Sequence, residues 1–129
     1  MLRRMCRAKI HRATITASRL DYEGSLEIDQ ALMEAAGLIE HEMVLVANLS
    51  NGERFETYVI RGARHSGVIG LNGAAARMGV PGDKVIVMSV AWMDEKTARG
   101  LKPQFVQVDQ KNHVIAVKAS VNNDRPRAR

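Results

Sequence analysis

From Ala8 to Thr16 residues alternate, with Ala8, Ile10 and Arg12 on one side and Lys9, His11 and Ala13 on the other. A strand has that period of two, and it points Lys9 and His11 to one face. Ile28, Leu32 and Ala36 then recur at helical spacing; Asp29 is placed to cap a short helix and Gly37 to stop it. Met43 to Ala47 and Glu53 to Ile60 are apolar or β-prone, and Asn51-Gly52 between them predicts a two-residue hairpin turn. The second of these strands puts Arg54, Glu56 and Tyr58 on one face and Phe55, Thr57 and Val59 on the other. Gly67 to Leu71 predicts a further strand, broken by Asn72-Gly73, and Ala74 to Met78 one helical turn. Pro81-Gly82 turns the chain into a mostly apolar, buried strand over Lys84 to Trp92. A second helical turn over Asp94 to Ala98 and a closing hairpin, Gln104–Val108 with Val114–Val117 around Lys111-Asn112, complete the pattern. Short strands at close spacing with small helical inserts predict a mainly β, compact barrel.

The chain has 129 residues, 46% hydrophobic and 26% charged, enough for one packed core rather than disorder. The barrel is expected over 1–118, followed by a basic, disordered tail over 119–129. No apolar run reaches membrane-spanning length, and no apolar segment follows the basic N-terminus as in a signal peptide. Cys6 is the only cysteine, which rules out an internal disulfide and fits a reducing compartment. These features predict a cytoplasmic protein without a membrane partner.

The net charge of +5 suggests nucleic acid, but its distribution argues against that partner. Arg3, Arg4, Arg7, Lys9 and Arg12 crowd one end and Arg125, Arg127 and Arg129 the other, leaving the middle slightly acidic. The aromatics Tyr22, Phe55, Tyr58, Trp92 and Phe105 are scattered rather than interleaved with a basic face. His11, His41, His65 and His113 form no metal-ligand spacing, so no metal is expected.

One constellation remains: Lys9 and His11, Tyr22-Glu23-Gly24-Ser25, Asn51-Gly52, Arg54, Thr57-Tyr58 and Asn72-Gly73-Ala74-Ala75-Ala76. In that order and spacing, from about Met1 to Phe105, the chain resembles the pyruvoyl-dependent aspartate 1-decarboxylase family. The resemblance implies a double-psi β-barrel, a homotetramer of processed two-chain protomers, and active sites between neighbouring subunits. Two positions depart from the family pattern. Arg4 replaces a common threonine, and His65 stands where glycine is usual, so His65 must adopt glycine's conformation or shift its loop.

The implied chemistry begins with the backbone. The Ser25 hydroxyl attacks the Gly24 carbonyl, an acyl shift gives an ester, and β-elimination breaks the chain. Hydrolysis then releases ammonia and leaves a pyruvoyl group derived from Ser25 as the covalent cofactor. Glycine at 24 keeps the carbonyl unobstructed, and the resemblance gives Thr57 the oxyanion-stabilising role. His11 and Tyr22 are weaker candidates for supporting the processing, and Asn72 for holding the Gly24 carboxylate or the cofactor carbonyl.

L-Aspartate then forms a Schiff base, loses its α-carboxylate as carbon dioxide and leaves as β-alanine, a pantothenate precursor. Arg54 and Lys9 suit the substrate carboxylates, with the assignment of each left open. Tyr58 is the implied proton donor. Gly73, Ala74 and Ala75 offer backbone contacts and room, though simple helix packing accounts for the alanines equally well. The sequence leaves open a need for a maturation factor. The competing reading is a β-barrel binding module, nucleic-acid-directed, that never cleaves; a third is a self-cleaving relative acting on another acidic amino acid.

Overall fold

Ile15 and Thr16 decide the shape of the molecule. In the computed structural model, which describes residues 1–119, they are the whole link between β1 (Leu2–Thr14) and β2 (Ala17–Arg19). The remaining elements are β3 (Ser25–Asp29), α1 (Gln30–Ala36), β4 (Met43–Asn48), β5 (Arg54–Gly62), β6 (Ile69–Asn72), a 3-10 turn (Gly73–Met78), β7 (Lys84–Asp94), α2 (Glu95–Arg99), β8 (Gln104–Val108) and β9 (Val114–Lys118). They form one sheet in the order β2-β6-β3-β5-β4-β7-β1-β8-β9. A flat sheet would separate β2 from β1 by roughly 29 Å, at about 4.8 Å per strand. The link between them reaches about 11 Å. The sheet therefore wraps round on itself, and hydrogen bonds from Ile15 N to Asp83 O and Thr16 N to Ile69 O fasten the crossing. This is the mainly β, barrel-like body the pattern predicts. The expected basic tail lies, apart from Ala119, outside the described residues.

Inward residues of alternating strands fill the centre: Ile10, Leu26, Ile28, Val59, Leu71 and Val87 are all essentially inaccessible to solvent. Helix α1 closes one side with Leu32, Met33 and Ala36. Its N-cap is Asp29, which accepts from Ala31 N at 2.8 Å, and Gly37 ends it in the left-handed conformation at φ 70°, as the pattern predicts.

Four local expectations need correction. β1 is longer than Ala8–Thr16 and its alternation breaks. The register with β7 slips between Ile10 and Ala13, where Arg12 has φ 59°. One extra residue sits in that bulge, so Ala13 turns into the core instead of sharing the side of Lys9 and His11. The β4–β5 connection, residues 49–53, is a five-residue loop, not a two-residue turn. Ala47 pairs with Arg54, and Gly52 N donates to Asn48 O at 2.9 Å. The Asn48 carboxamide caps the loop by accepting from Ser50 N, a local alternative to the predicted turn. Neither the short β2, which carries no alternation long enough to read, nor β3 was expected. Trp92 lies in β7 as predicted but is 64% exposed, because the outer half of β7 runs beyond the core as a ribbon with Leu2–Met5.

The departure at His65 is resolved in favour of glycine's conformation: His65 has φ 66°. The buried Asp29 carboxylate holds it there by accepting from His65 N at 2.9 Å and Gly67 N at 2.8 Å.

Candidate active site

Strand β6 lies between β2 and β3, and its last residue, Asn72, faces Ser25 across the antiparallel pair. Both are buried, at 2% exposure. The Asn72 Nδ2 donates to Ser25 Oγ at 3.1 Å, and Ser25 Oγ donates to Glu23 O at 3.2 Å. Asn72 Oδ1 is buried with no hydrogen-bond partner among the described residues. The next residue, Gly73, turns with φ 67° and presses its backbone against the chain before Ser25. A Cβ at Gly73 would stand 2.6 Å from Gly24 Cα and 2.9 Å from Tyr22 O. Only glycine fits that approach.

Gly24 itself is exposed, and a Cβ there would meet nothing within 4 Å. Its open side faces a pocket of about 350 Å³ lined by Gly24, Thr57, Tyr58, Ala74, Ala75 and Met78, among others. Parallel pairing of β3 with β5 explains the meeting of Gly24 and Thr57. Leu26 pairs with Val59, and the same register carried two residues back sets Gly24 beside Thr57. The half-buried Thr57 side chain makes no hydrogen bond among the described residues, so its hydroxyl is uncommitted. Tyr58 is half-buried, opposite Met43 across β4–β5, and its ring stands 5.9 Å from that of His41.

Eight expected site residues thus converge: Gly24, Ser25, Thr57, Tyr58, Asn72, Gly73, Ala74 and Ala75. Tyr22 borders them through its carbonyl while its ring is exposed and lies under the Arg19 guanidinium. Three do not join them within this chain. Arg54 begins β5 with an exposed side chain and no ion-pair partner among the described residues. Lys9 and His11 lie on β1, separated from β5 by β4 and β7. Lys9 Nζ sits 5.4 Å from the centroid of the Phe105 ring. His11 opens to a different cavity, of about 390 Å³, with Arg12 and Lys84. Burial, and then the positive charges of Lys9 and Arg12, lower the His11 pKa, so its imidazole stays neutral to lower pH than free histidine.

Sequence pattern missed Met43, Phe55, Glu56 and Met78 on the pocket wall. Met43 was legible only with the correct hairpin register, since a two-residue turn would have paired it with Ile60. It also missed Arg19 and Glu27, which flank the Gly24-Ser25 bond and form an ion pair at 3.2 Å. Among the described residues no group of three or more His, Cys, Asp or Glu is placed to hold a metal ion, and no helix is long and apolar enough to cross a membrane.

The structure thus combines a mainly β body with a buried serine at a strand start, an asparagine on its hydroxyl and a small adjoining pocket. A family model described as aspartate decarboxylase matches residues 1–115, and the chain belongs to the aspartate decarboxylase family. It is 55% identical over 114 residues to the aspartate 1-decarboxylase of Pelotomaculum thermopropionicum, covering 88% of this chain and 86% of the relative. It is 49% identical over 124 residues to that of Clostridium beijerinckii, covering 96% and 100%. The Lactiplantibacillus plantarum aspartate 1-decarboxylase is 53% identical over 114 residues, covering 88% of each chain.

Proposed function

We propose that this protein converts L-aspartate to β-alanine and carbon dioxide after cutting its own chain between Gly24 and Ser25. One observation carries the reading: Ser25 Oγ is held by Asn72 at 3.1 Å while Gly73 braces the backbone of Gly24 beside an open pocket. The relatives named aspartate 1-decarboxylase support the substrate and the reaction.

In the first step the Ser25 Oγ–C bond to Gly24 forms and the Gly24–Ser25 C–N bond breaks. The hydroxyl proton passes to the freed amine. The Thr57 hydroxyl is the donor proposed for the charge that develops on the Gly24 oxygen. β-Elimination removes the Ser25 α-proton and breaks the Cβ–Oγ bond, leaving Gly24 as a carboxylate. Water then replaces the nitrogen at residue 25, which leaves as ammonia. The unpartnered Asn72 Oδ1 fits this sequence, because the freed amine brings N–H donors to a buried acceptor that lacks one. When formed, the pyruvoyl group supplies the electron sink for loss of the α-carboxylate.

The chain's own residues do the rest. Arg54 binds a substrate carboxylate through a bidentate guanidinium, and Lys9 offers a second cation. Tyr58, on the pocket wall, returns a proton to the decarboxylated carbon. Gly73, Ala74 and Ala75 leave room for the substrate and present backbone to it. Neither Lys9 nor His11 lines the Gly24 pocket of its own chain. A neighbouring copy brings them in, which supports a homotetramer with sites between subunits and a structural place for His11 near the processed bond. The working protein is placed in the cytoplasm.

An intact-mass spectrum of the denatured protein tests the reading. The expected result is two fragments meeting at Gly24 and Ser25, the larger lighter by one ammonia than a serine-started peptide. A single full-length mass after prolonged warming overturns self-sufficient cleavage. A purified, cleaved protein that releases no carbon dioxide from aspartate overturns the substrate.

A further inference from the structure

The five residues 20–24 leave β2 and return in β3, and both ends of this loop are pinned to one residue. Arg19 and Ser25 are each the register partner of Asn72, from opposite sides of β6. The Arg19 side chain crosses over β6 to Glu27 on β3, with Nη1 3.2 Å from Oε1. Gly70 leaves that path open: a Cβ there would stand 3.1 Å from Arg19 Nη1. On the far side of β3, Gly62 gives the Glu27 side chain room, since a Cβ there would stand 3.1 Å from Glu27 Cγ. The same guanidinium lies over the Tyr22 ring, 5.3 Å from its centroid. Tyr22 is two residues before Gly24, and Glu27 is two residues after Ser25.

We propose that Arg19 is a positioning residue for self-cleavage, clamping the chain on both sides of the Gly24–Ser25 bond. The proposal rests on the cleavage reading above. A Cβ on Gly24 would meet nothing and glycine has little intrinsic stiffness, so beyond the Gly73 contact the attack geometry depends on what fixes its flanks. A guanidinium stacked on Tyr22 and paired with Glu27 removes freedom from both. That converts a loosely held carbonyl into one presented to Ser25 Oγ. Arg19 and Glu27 are both partly solvated, at 35% and 27% side-chain exposure, so their pair adds little to overall stability. Its value lies in orientation. Cleavage also leaves Arg19 in the small chain and Glu27 in the large one, so the clamp becomes a tie between the two products.

The test follows fresh full-length protein from cell-free synthesis by intact mass over time. Arg19→Gln is expected to cleave about tenfold more slowly than wild type. Glu27→Gln slows it too, and the double variant is no slower than Arg19→Gln alone, as for two residues acting as one pair. About 1 M salt slows the wild type and leaves Arg19→Gln unchanged. Arg19→Gln in a Ser25→Ala background, which cannot cleave, melts within a few degrees of Ser25→Ala. Cleavage of Arg19→Gln at the wild-type rate overturns the proposal, and so does a collapse in melting temperature, which would make Arg19 merely structural. A wild-type chain that stays full-length overturns the cleavage reading itself, and the clamp with it.

Discussion

Two regions of the one sheet carry polar residues in opposite states. Around β6, β3 and β5, Ser25, Asn72 and Gly73 are buried, fixed by strand register and aimed at one peptide bond. Around β1 and β8, Lys9, His11 and Arg12 lie outside the core and no acidic partner pairs with them among the described residues. Both regions contain a left-handed backbone, Gly73 at φ 67° and Arg12 at φ 59°. At Gly73 that conformation brings two backbones into contact; at Arg12 it turns a strand and leaves a cation outside. The first region is assembled from three strands of a single chain, and the second leaves its cations without acidic partners among the described residues. Backbone-level chemistry needs sub-ångström placement and is built locally, whereas carboxylate binding tolerates a guanidinium or ammonium delivered from elsewhere.

Substitutions that abolish the first region have the largest expected effect. Ser25→Ala removes the attacking oxygen and should eliminate both cleavage by intact mass and carbon dioxide release from aspartate. A cleaved or active Ser25→Ala protein would overturn the mechanism.

Gly73→Ala comes next. Its new methyl would meet Gly24 backbone at 2.6 Å with a left-handed φ. We expect cleavage slowed about 100-fold and stability lowered by about 1–3 kcal/mol, read by mass time course and denaturant melts. Wild-type cleavage would show that the Gly24 backbone needs no brace.

The cations outside the Ser25 cluster, Arg54 on β5 and Lys9 on β1, should respond differently. Arg54→Ala leaves melting unchanged and raises KM for aspartate about 10–100-fold, as for loss of a charge-assisted carboxylate contact. Unchanged kinetics would remove Arg54 from the site. Lys9→Ala is expected to cut turnover about tenfold while leaving Gly24–Ser25 cleavage intact. Co-expression of Lys9→Ala with Ser25→Ala chains sharpens the contrast. Mixed assemblies should regain activity if Lys9 serves a neighbour's Ser25, and no recovery would confine the site to one chain.

The smallest effect tests the strained loop away from both. His65→Gly keeps φ 66° without a Cβ penalty. It should raise stability by about 0.5 kcal/mol, a melting shift of about 2–4 °C, with unchanged kinetics. A lower melting temperature would mean the imidazole makes a contact worth more than the strain.

Much of the local structure of the chain was legible in its sequence. Alternation gave most strands, Asp29 and Gly37 bounded α1, and the order of the short motifs marked the Gly24-Ser25 bond with Thr57, Tyr58 and Asn72. Those signals are short-range: a turn, a cap and a strand face each depend on a few neighbours. Three features were beyond them. The bulge at Arg12 reversed Ala13 because the register with β7, not the local pattern, sets which side is inside. The β4–β5 turn lengthened because the Asn48 side chain offered the backbone a competing set of hydrogen bonds. Arg19 and Glu27 were invisible as a pair because only the β2-β6-β3 order brings them together, over a glycine. By itself, then, the sequence determined most of the elements and singled out the bond proposed for cleavage, through residue types and spacing. Tertiary structure alone decided which polar groups meet at that bond and which line other cavities, because strand pairing brings together residues that spacing cannot relate.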